Sequence, residues 1–342
     1  MGNCDICEKN SELKEDEIRP DRLVQGQMDA FLSDVKWLQQ FKSDFILVDC
    51  PACGSKKFVK TFEKYQLSFV MCSECETLFV NPRPTPEIIK NYLENSENYQ
   101  YWNKYIFPHS ESARREKIFK PRVERLIQIC KYYNVRMDSL MEVGAGFGTF
   151  CEELQKRNVF KQIIAVEPTH ELAETCRKKN INVIEKLIEE VTLESNSIDV
   201  IACFEVIEHL FSPKDFIKRC GSLLDSGGFL FLTCPNGKGF DILVLRNQSN
   251  SVDVEHLNYF NPASLSHLLK ECGFEIVEII TPGKLDAELV RKKILSAEFN
   301  ISTHPFLKQI LIDEWDRVGS TFQDFLAANM LSSHMWIIAR KK

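Results

Sequence analysis

Residues 141–150 read Met-Glu-Val-Gly-Ala-Gly-Phe-Gly-Thr-Phe and follow a short apolar segment that is typical of a β-strand. Glycines at positions 144, 146 and 148 let the chain turn sharply and bring its backbone close to a ligand at the carboxyl edge of a sheet. A G-x-G-x-G segment alone is weak evidence, because a turn between two purely structural strands also favours glycine. Its context predicts a strand–turn–helix unit, from which the rest of the fold can be worked out.

A second predicted strand ends in an acidic residue. Residues 163–166 are apolar, and Glu167 follows them directly. An acid at this place in a sheet accepts both hydroxyls of a ribose, a contact made with dinucleotides and with adenosyl compounds alike. The dinucleotide pattern has a third glycine three residues after the second, where this chain has Thr149. The spacing therefore indicates a ligand that contains a nucleoside and departs from the dinucleotide pattern.

The pattern from residue 136 onward predicts the fold class. Short apolar segments alternate with helical patterns, as a parallel sheet with crossover helices requires. The expected fold is α/β: a Rossmann-like, seven-stranded, mostly parallel sheet with helices on both faces and an antiparallel last strand. A helical insertion is expected at 283–332. The predicted strands are Ser139–Val143, Gln162–Glu167, Asn182–Ile184, Asp199–Cys203, Gly228–Thr233, Glu275–Thr281 and His334–Arg340.

Three smaller units are expected ahead of that domain, which is assigned to 136–342. Residues 1–45 are interpreted as an N-terminal helical extension, with a helix near 24–41 where apolar side chains recur at helical spacing. Residues 46–84 hold two cysteine pairs and short alternating strands. Residues 85–135 are expected to form linker helices, one of them capped by Thr85 with Pro86 at its first position.

The two cysteine pairs in 46–84 predict a metal site. Each pair has the Cys-x-x-Cys spacing, and the distance between the pairs is typical of a zinc ribbon, in which four thiolates close a tetrahedron. Because no ligand position is then open, the zinc would be structural. The predicted ligands are Cys50, Cys53, Cys72 and Cys75.

A third pair, Cys4 and Cys7, lacks a fourth partner nearby. A second metal site would need distant ligands, and an exposed reduced pair in a mobile tail is the preferred interpretation.

Composition excludes several classes of protein. The chain has 342 residues, 44% of them hydrophobic and 27% charged, which is ordinary for a globular protein. A formal net charge of −6 argues against a nucleic-acid partner. The first residues lack the apolar core of a signal peptide, and no apolar run is long enough to cross a bilayer. A cytoplasmic location without membrane insertion is expected, and thirteen cysteines then argue against a disulfide framework.

Several blocks together resemble the class I S-adenosylmethionine (SAM)-dependent methyltransferases of the methyltransferase-11/12/23 type, over roughly 115–281. The blocks are 142–150, 166–168, 199–210, 224–228 and 233–236. The resemblance implies that the glycine turn holds the methionine part of SAM, that Glu167 binds the ribose and that Pro168 lies near the adenine. Phe204 and Glu205 would line the cofactor and acceptor side. The implied cofactor-binding residues are Glu142, Gly144, Ala145, Gly146, Gly148, Glu167, Pro168 and Phe204.

Two pairs of residues are candidates for a catalytic base. Glu205 and His209 are four residues apart and could share one face of a helical turn. Glu255 and His256 follow the fifth strand, where the acceptor would sit in this fold. Residues 255–260 resemble the E-H-x-x-Y-F segment of bacterial sugar C-methyltransferases, which also carry an N-terminal zinc domain and whose Glu-His pair looks catalytic.

That second resemblance is partial, because those enzymes have a further large C-terminal domain for which this chain is too short. O-methylation therefore stays open beside C-methylation. Both histidines also have an ordinary alternative, a structural hydrogen bond within the fold. Glu208 is expected to be a solvated helix residue.

The expected function is methyl transfer from SAM to a small molecule or glycan, with a nucleotide-linked sugar of surface-polysaccharide biosynthesis as the implied acceptor. One alternative is an RNA or protein methyltransferase that docks its substrate through the ribbon, and another is a non-catalytic cofactor-binding module. Arg114, Arg115 and Arg122 either hold a ligand's carboxylate or phosphate or form a solvated basic helix face. The acceptor, the atom methylated and the oligomeric state are not determined by the sequence.

Overall fold

Helices come first in the part of the chain that the computed structural model describes, residues 15–342. The short helix α1 (Glu15–Ile18) precedes α2 (Asp21–Gln39), which corresponds to the helix predicted near 24–41. Helix α2 buries Phe31, Val35 and Leu38, which lie one helical turn apart and so share a face. The interpretation of Cys4 and Cys7 concerns residues outside the described range.

Short antiparallel strands form the ribbon, as we call residues 46–84. They are β1 (Phe58–Lys64), β2 (Leu67–Cys72) and β3 (Leu78–Val80). Between them the ring of Phe62 stacks on Phe69 with 5.0 Å between centroids, and Phe58 meets the edge of Phe79. These aromatic pairs give the ribbon an apolar interior that its few residues could not otherwise supply.

Helical segments connect the ribbon to the large sheet. The first begins as predicted: the Thr85 side chain accepts the Ile88 N–H at 3.4 Å, and Pro86 lies in the first turn. A continuous helical run then extends from 97 to 132, widened by π-type turns at 102–106 and 115–119. The α-helical parts are α3 (Pro86–Asn95), α4 (Glu97–Tyr101), α5 (Phe107–Arg114) and α6 (Lys120–Tyr132).

Seven of the remaining strands fall where the sequence pattern places them, with ends that differ by a few residues, and the short strand β9 was not predicted. The remaining strands are β4 (Ser139–Val143), β5 (Gln162–Val166), β6 (Asn182–Ile184), β7 (Ile198–Phe204), β8 (Leu224–Pro235), β9 (Asn258–Tyr259), β10 (Phe274–Ile280) and β11 (His334–Lys341).

Seven of these strands form one sheet in the order β10-β11-β8-β7-β4-β5-β6. Strands β8, β7, β4, β5 and β6 are parallel, and β11 is antiparallel to both β8 and β10. The predicted mostly parallel sheet with an antiparallel last strand is confirmed. The last strand lies inside the sheet, with β10 at the edge.

Helices cover both faces of this sheet. Along β7, Ile201 and Cys203 belong to one apolar cluster, whereas Val200 and Ala202 belong to the other, since alternate residues of a strand point to opposite faces. Helices α7 (Thr149–Arg157) and α8 (His170–Lys178) lie on one face, and α9 (Pro213–Leu223) and α11 (Pro262–Glu271) lie on the other. A separate apolar cluster is formed by α10 (Phe240–Leu245), α12 (Asp286–Leu295), α13 (Pro305–Lys308) and α14 (Trp315–Ala328). Within residues 15–342, none of the helices is long and apolar enough to cross a membrane.

Strand β9 joins the ribbon and not the large sheet. Its residues Asn258 and Tyr259 pair with Phe79 and Leu78 of β3, so the ribbon sheet has four strands. Nearby, the buried Arg83 donates hydrogen bonds to Oδ1 of Asn258 at 3.1 Å and to the carbonyl of Phe211 at 3.3 Å. The ribbon is therefore fixed to the loop that follows β8, an arrangement that the sequence did not predict.

Candidate active site

The glycine turn at the end of β4 lies against the end of β5. The Gly144 N–H donates to the carbonyl of Val166 at 2.9 Å, which ties the two strand ends together. Gly144, Gly146 and Gly148 all have positive φ angles, between 54° and 75°. L-residues with side chains adopt that conformation at a cost, so glycine is required by the turn itself.

Glu167 completes this turn from the neighbouring strand. Its Oε2 accepts the N–H of Gly146 at 2.8 Å, and its Oε1 accepts the N–H of Thr169 at 3.0 Å. The residue is 4% exposed, and burial raises the pKa of its carboxyl despite these two donors. Each oxygen keeps a lone pair for a further donor, so the carboxylate can accept the two hydroxyls of a ribose. Pro168, the predicted adenine neighbour, follows directly and is exposed.

Two more polar groups of the turn are buried. Glu142, at the end of β4, accepts the thiol of Cys151 at 3.0 Å, and burial raises the pKa of its carboxyl to about 8. The hydroxyl oxygen of Thr149 is buried and has no hydrogen-bond partner among the described residues. An unsatisfied hydroxyl at a glycine turn, beside two carboxylates, fits a ligand that carries an ammonium group and ribose hydroxyls. The residues that the resemblance assigned to SAM therefore suit that cofactor.

The linker helices approach this turn directly. The ring of Phe107, the first residue of α5, stacks on Phe147 with 3.5 Å between centroids and planes within 2°. Ala145, beside it, is buried. The sequence prediction placed Phe147 in the turn but gave no hint of its partner, which comes from a separate helix.

A second group of candidate residues lies at the end of β7, the strand next to β4. Glu205 follows Phe204 and has a φ of +56°, which is unusual for a residue other than glycine. Its carboxylate accepts hydrogen bonds from Thr233 at 2.5 Å and from Nε2 of His334 at 2.8 Å. Burial would raise the pKa of Glu205, but His334 and Arg122 outweigh it and hold that pKa below its usual value.

The three arginines ahead of the domain have different surroundings. Arg122 has its guanidinium 3.6 Å from Glu205 and 4.8 Å above the ring of Phe204, so it faces the candidate site. Arg115 forms ion pairs with Glu111, Glu152 and Glu153, and Arg114 donates to the carbonyl of Ile18. Arg115 and Arg114 are therefore engaged within the protein, and Arg122 is the one that the geometry leaves as a ligand candidate.

His209 and His256 lie side by side, with 4.7 Å between ring centroids. Nδ1 of His209 is 3.1 Å from the carbonyl oxygen of Glu255. Nδ1 of His256 is 3.1 Å from the carbonyl oxygen of Ser251 and 3.2 Å from Oδ2 of Asp253. Residues 207–209 form a turn, not the helical turn that the sequence suggested for Glu205 and His209.

The two rings differ in their proton affinity. Burial and the neighbouring His256 lower the pKa of His209 to about 3. Burial alone would also lower the pKa of His256, but Asp253, the Ser251 carbonyl and Glu255 together raise it. Two adjacent groups whose environments separate their pKa values are typical of sites that move a proton.

The partner of His256 differs from the expected one. Glu255 points away to the linker helices, where its carboxylate accepts hydrogen bonds from Tyr92 at 3.1 Å and from Asn98 at 2.6 Å. Burial and Asp253 raise the pKa of Glu255 to about 7. The carboxylate that lies beside the His256 ring is that of Asp253, three residues earlier, and not that of Glu255, with which the sequence paired it.

Glu208 was expected on a solvated helix face, and this was wrong. The residue is 0% exposed, and neither of its carboxylate oxygens has a hydrogen-bond partner among residues 15–342. Its backbone carbonyl accepts the N–H groups of Leu257 and Asn258, so the segment around β9 covers it. A local pattern does not reveal this burial, because the covering segment is distant in sequence.

The four predicted metal ligands converge. The Sγ atoms of the four residues all lie within 4.8 Å of one another. The Sγ–Sγ distance is 3.5 Å between Cys50 and Cys75 and 3.6 Å between Cys53 and Cys72. Sulfurs at the usual Zn–S distance on a tetrahedron are about 3.8 Å apart. The donor set and its spacing therefore fit zinc.

Comparison with known proteins adds an independent finding. Residues 111–279 match the family model Methyltransf_23, described as a methyltransferase domain. A protein of Mycobacterium tuberculosis named "Probable S-adenosylmethionine-dependent methyltransferase" is 27% identical over 137 residues, which are 40% of this chain and 48% of that protein. The ubiquinone biosynthesis O-methyltransferase of Coxiella burnetii is 29% identical over 118 residues, 33% of this chain and 50% of that protein.

The chain thus spans about half the length of the curated relatives that it matches. Among solved structures, a SAM-dependent methyltransferase from Archaeoglobus fulgidus covers 70% of this chain and 100% of its own, with 22% identity and a TM-score of 0.48.

Proposed function

This chain carries a class I SAM-dependent methyltransferase domain, and from that premise we propose that the protein transfers a methyl group from SAM to a small-molecule or glycan acceptor. The observation that supports this most directly is the buried carboxylate of Glu167, held by the N–H of Gly146 and free to accept two further donors. A cofactor site and the histidine pair then share the carboxyl edge of the sheet, where ligands bind in open α/β folds.

The cofactor would be held by the residues of the turn. Glu167 would accept the ribose hydroxyls, the backbone of Gly144 and Gly146 would approach the methionine part, and Glu142 would offset its ammonium charge. The sulfonium of SAM supplies an electrophilic methyl group, so the chain's own task is to position the acceptor and to help it lose a proton.

We assign that second task to the end of β7 and to the loop after β8. Glu205 is kept ionised by His334 and Arg122, and it lies four residues before His209 in the sequence. His256 lies beside His209 and is oriented by Asp253. The acceptor proton would leave through His256, while Glu255, bound to Tyr92 and Asn98, would fix the loop against the linker helices.

The acceptor class is supported by the likeness of 255–260 to a segment of sugar C-methyltransferases and by the presence of a four-cysteine ribbon. We propose a nucleotide-linked sugar of surface-polysaccharide biosynthesis, methylated at carbon or oxygen. The Coxiella relative is named as an O-methyltransferase, which keeps a hydroxyl acceptor in the set to be tested.

The ribbon is proposed to bind structural zinc through Cys50, Cys53, Cys72 and Cys75. Its pairing with β9 argues against the rival hypothesis of a ribbon that docks an RNA or protein substrate. A docking module needs a free surface, whereas this strand edge is used to hold the loop that contains His256. The rival hypothesis of a non-catalytic module predicts cofactor binding without transfer to any acceptor.

Transfer from radiolabelled SAM to a panel of nucleotide-linked sugars, free sugars and phenols tests the proposal. Labelled product with at least one sugar is expected, and the position of the label separates C- from O-methylation. Tight binding of S-adenosylhomocysteine with no labelled product from any acceptor, RNA and protein included, would favour the non-catalytic module. Labelling of RNA or protein alone would move the function to the rival class.

A further inference from the structure

We propose that Glu208, His209 and His256 bind one divalent transition-metal cation on the acceptor side of the site. The inference rests on the proposed function, because it says how the acceptor would lose its proton there. The three residues each offer a ligand atom, and these atoms all lie within 4.8 Å of one another. Two imidazoles and one carboxylate on neighbouring loops are a common donor set for such ions.

The distances require only a small contraction. Nε2 of His209 is 4.0 Å from Oε1 of Glu208. Ligand atoms at the usual metal distances on a tetrahedron are about 3.4 Å apart, so side-chain shifts of about 1 Å or less would close the set. Both histidines have side chains that are 19% exposed, so the cluster is open on one side to an ion and an acceptor.

Each histidine is already oriented as a ligand. Nδ1 of His209 faces the carbonyl oxygen of Glu255, and Nδ1 of His256 faces the carbonyl oxygen of Ser251 and the carboxylate of Asp253. With the ring proton on Nδ1, the lone pair stands on Nε2. Metal-binding histidines almost always show this arrangement, in which the other nitrogen donates to a carbonyl or carboxylate.

Glu208 provides the independent observation. Its side chain is 0% exposed and its carboxylate has no hydrogen-bond partner among the residues described, although its neighbour Glu205 accepts two hydrogen bonds and forms an ion pair with Arg122. A buried charge without a partner is costly, and such groups in proteins usually pair or coordinate metals. Arg122 and His334 contact Glu205, whereas the ion-pair contact of Glu208 within residues 15–342 is the 4.0 Å approach of Nε2 of His209. The alternative occupant is a proton, shared between the two carboxylates.

The donor set indicates the class of cation. Imidazole nitrogens suit Zn²⁺, Fe²⁺ and Ni²⁺, and the carboxylate and open positions also admit Mn²⁺, whereas Ca²⁺ and Mg²⁺ prefer sites made of oxygen ligands. Three protein ligands leave positions open for the oxygen atoms of an acceptor hydroxyl or of a vicinal diol. The cation would lower the pKa of that hydroxyl.

In the transfer step the acceptor O–H bond breaks and its proton passes to water. The O–CH₃ bond then forms as the S–CH₃ bond breaks, and the sulfonium becomes a neutral thioether. With the cation bound, His256 would be a ligand and the proton would pass to water, so this arrangement replaces the direct-base role that the proposed function gives to His256.

Full chain that carries one zinc per chain, so that only the ribbon is loaded, is titrated with Mn²⁺ and followed by electron paramagnetic resonance. This tests the site because Mn²⁺ disfavours thiolates and would leave the ribbon undisturbed. About one Mn²⁺ per chain is expected. Glu208→Gln and His209→Ala should each weaken Mn²⁺ binding by roughly a hundredfold, whereas His267→Ala, on the exposed face of α11, should not. If Glu208→Gln fails to fold, His256→Asn replaces it. No bound Mn²⁺, or equal binding by all variants, would overturn the proposal.

Activity gives the second measurement. Chelation that removes the added cation but leaves one zinc per chain should lower turnover at least about tenfold, and Mn²⁺ or Zn²⁺ should restore it, within the range that lost metal ligation costs. Unchanged turnover would overturn the proposed cation site. His256 would then remain as a direct base, and the proposal of methyl transfer would stand. Stabilisation by S-adenosylhomocysteine in every variant is monitored in parallel, so a failure of the cofactor site would be seen separately.

Discussion

The N–H of Gly146 donates to Oε2 of Glu167 across 2.8 Å, so the glycine turn of one strand is held by the acid of the next. This bond means that the ribose-binding group and the turn are positioned together. Substitution of Glu167 would remove a ligand contact and would also loosen the turn. It is therefore the most direct test of the proposed cofactor site.

S-adenosylhomocysteine should raise the melting temperature, since a ligand at a hundredfold excess over its Kd stabilises the native state by about 2.7 kcal/mol. Glu167→Ala should lose most of this gain. The matched control Glu171→Ala, exposed in the first turn of α8, should keep it. Differential scanning fluorimetry measures the shift. A shift with NADH and none with S-adenosylhomocysteine would contradict the methyltransferase assignment.

Cofactor affinity should fall on acidification. Burial raises the folded-state pKa of Glu167, so the carboxylate is protonated at a higher pH than an exposed glutamate. Below that raised pKa the neutral carboxyl accepts the ribose hydroxyls less well, and affinity is lost as the pH falls through it. Calorimetric titration of S-adenosylhomocysteine across pH checks the slope.

Glu167→Gln is the control for that slope, because its amide does not titrate in this range. The variant should bind more weakly at neutral pH and show a flatter dependence. Glu142, whose pKa is raised to about 8, contributes its own dependence, so the difference between wild type and variant is the informative quantity. Identical slopes would show that Glu167 does not govern the effect.

Purified protein should carry about one tightly bound zinc per chain, through the four thiolates. Cys72→Ser should lose it and loosen 46–84, while stabilisation by S-adenosylhomocysteine persists. Because β3 pairs with β9, hydrogen exchange should also accelerate at Asn258 and Tyr259. Cys272→Ser, outside the ribbon, is the matched control. Equal zinc loss in Cys4→Ser would show that the ligands are wrongly assigned.

His256→Ala should lower turnover by roughly a hundredfold, within the range that proton-handling groups contribute. Its effect on cofactor affinity should be small, since the ribose and methionine contacts lie on other loops. His209→Ala should lower both cofactor affinity and turnover, because His209 lies in the turn that follows Glu205 and its ring contacts His256. Single-turnover transfer with the identified acceptor measures both. Wild-type rates in His256→Ala would move proton removal to Glu205 and His209 or show that positioning suffices.

The large sheet could be predicted because each of its strands can be recognised from its own short stretch of sequence. Residues 139–143 and 162–166 are short, mainly apolar segments, and Glu167 follows its strand directly in sequence. The four metal ligands could be predicted because the spacing of the cysteines along the chain is itself the signal. In these cases the interaction that matters is either within a few residues or dictated by the order of parallel strands.

The details of the candidate site could not be predicted in the same way. His334 reaches Glu205 only because β11 inserts beside β8, and Glu255 turns to Tyr92 and Asn98 of the linker helices. Asp253 had one local signal, its position three residues before His256, but such spacings are common in loops. Glu208 is buried by a segment about fifty residues away, which depends on tertiary packing alone.

The pairing of β3 with β9 also bears on how such proteins can be recombined. In a chimera that replaces 46–84 with the ribbon of a relative, Asn258 and Tyr259 would pair with a foreign strand edge, and the exchange would remove Arg83, the hydrogen-bond donor to Asn258. The transplantable unit is therefore discontinuous: the ribbon and residues 251–260 should be exchanged together to keep these contacts.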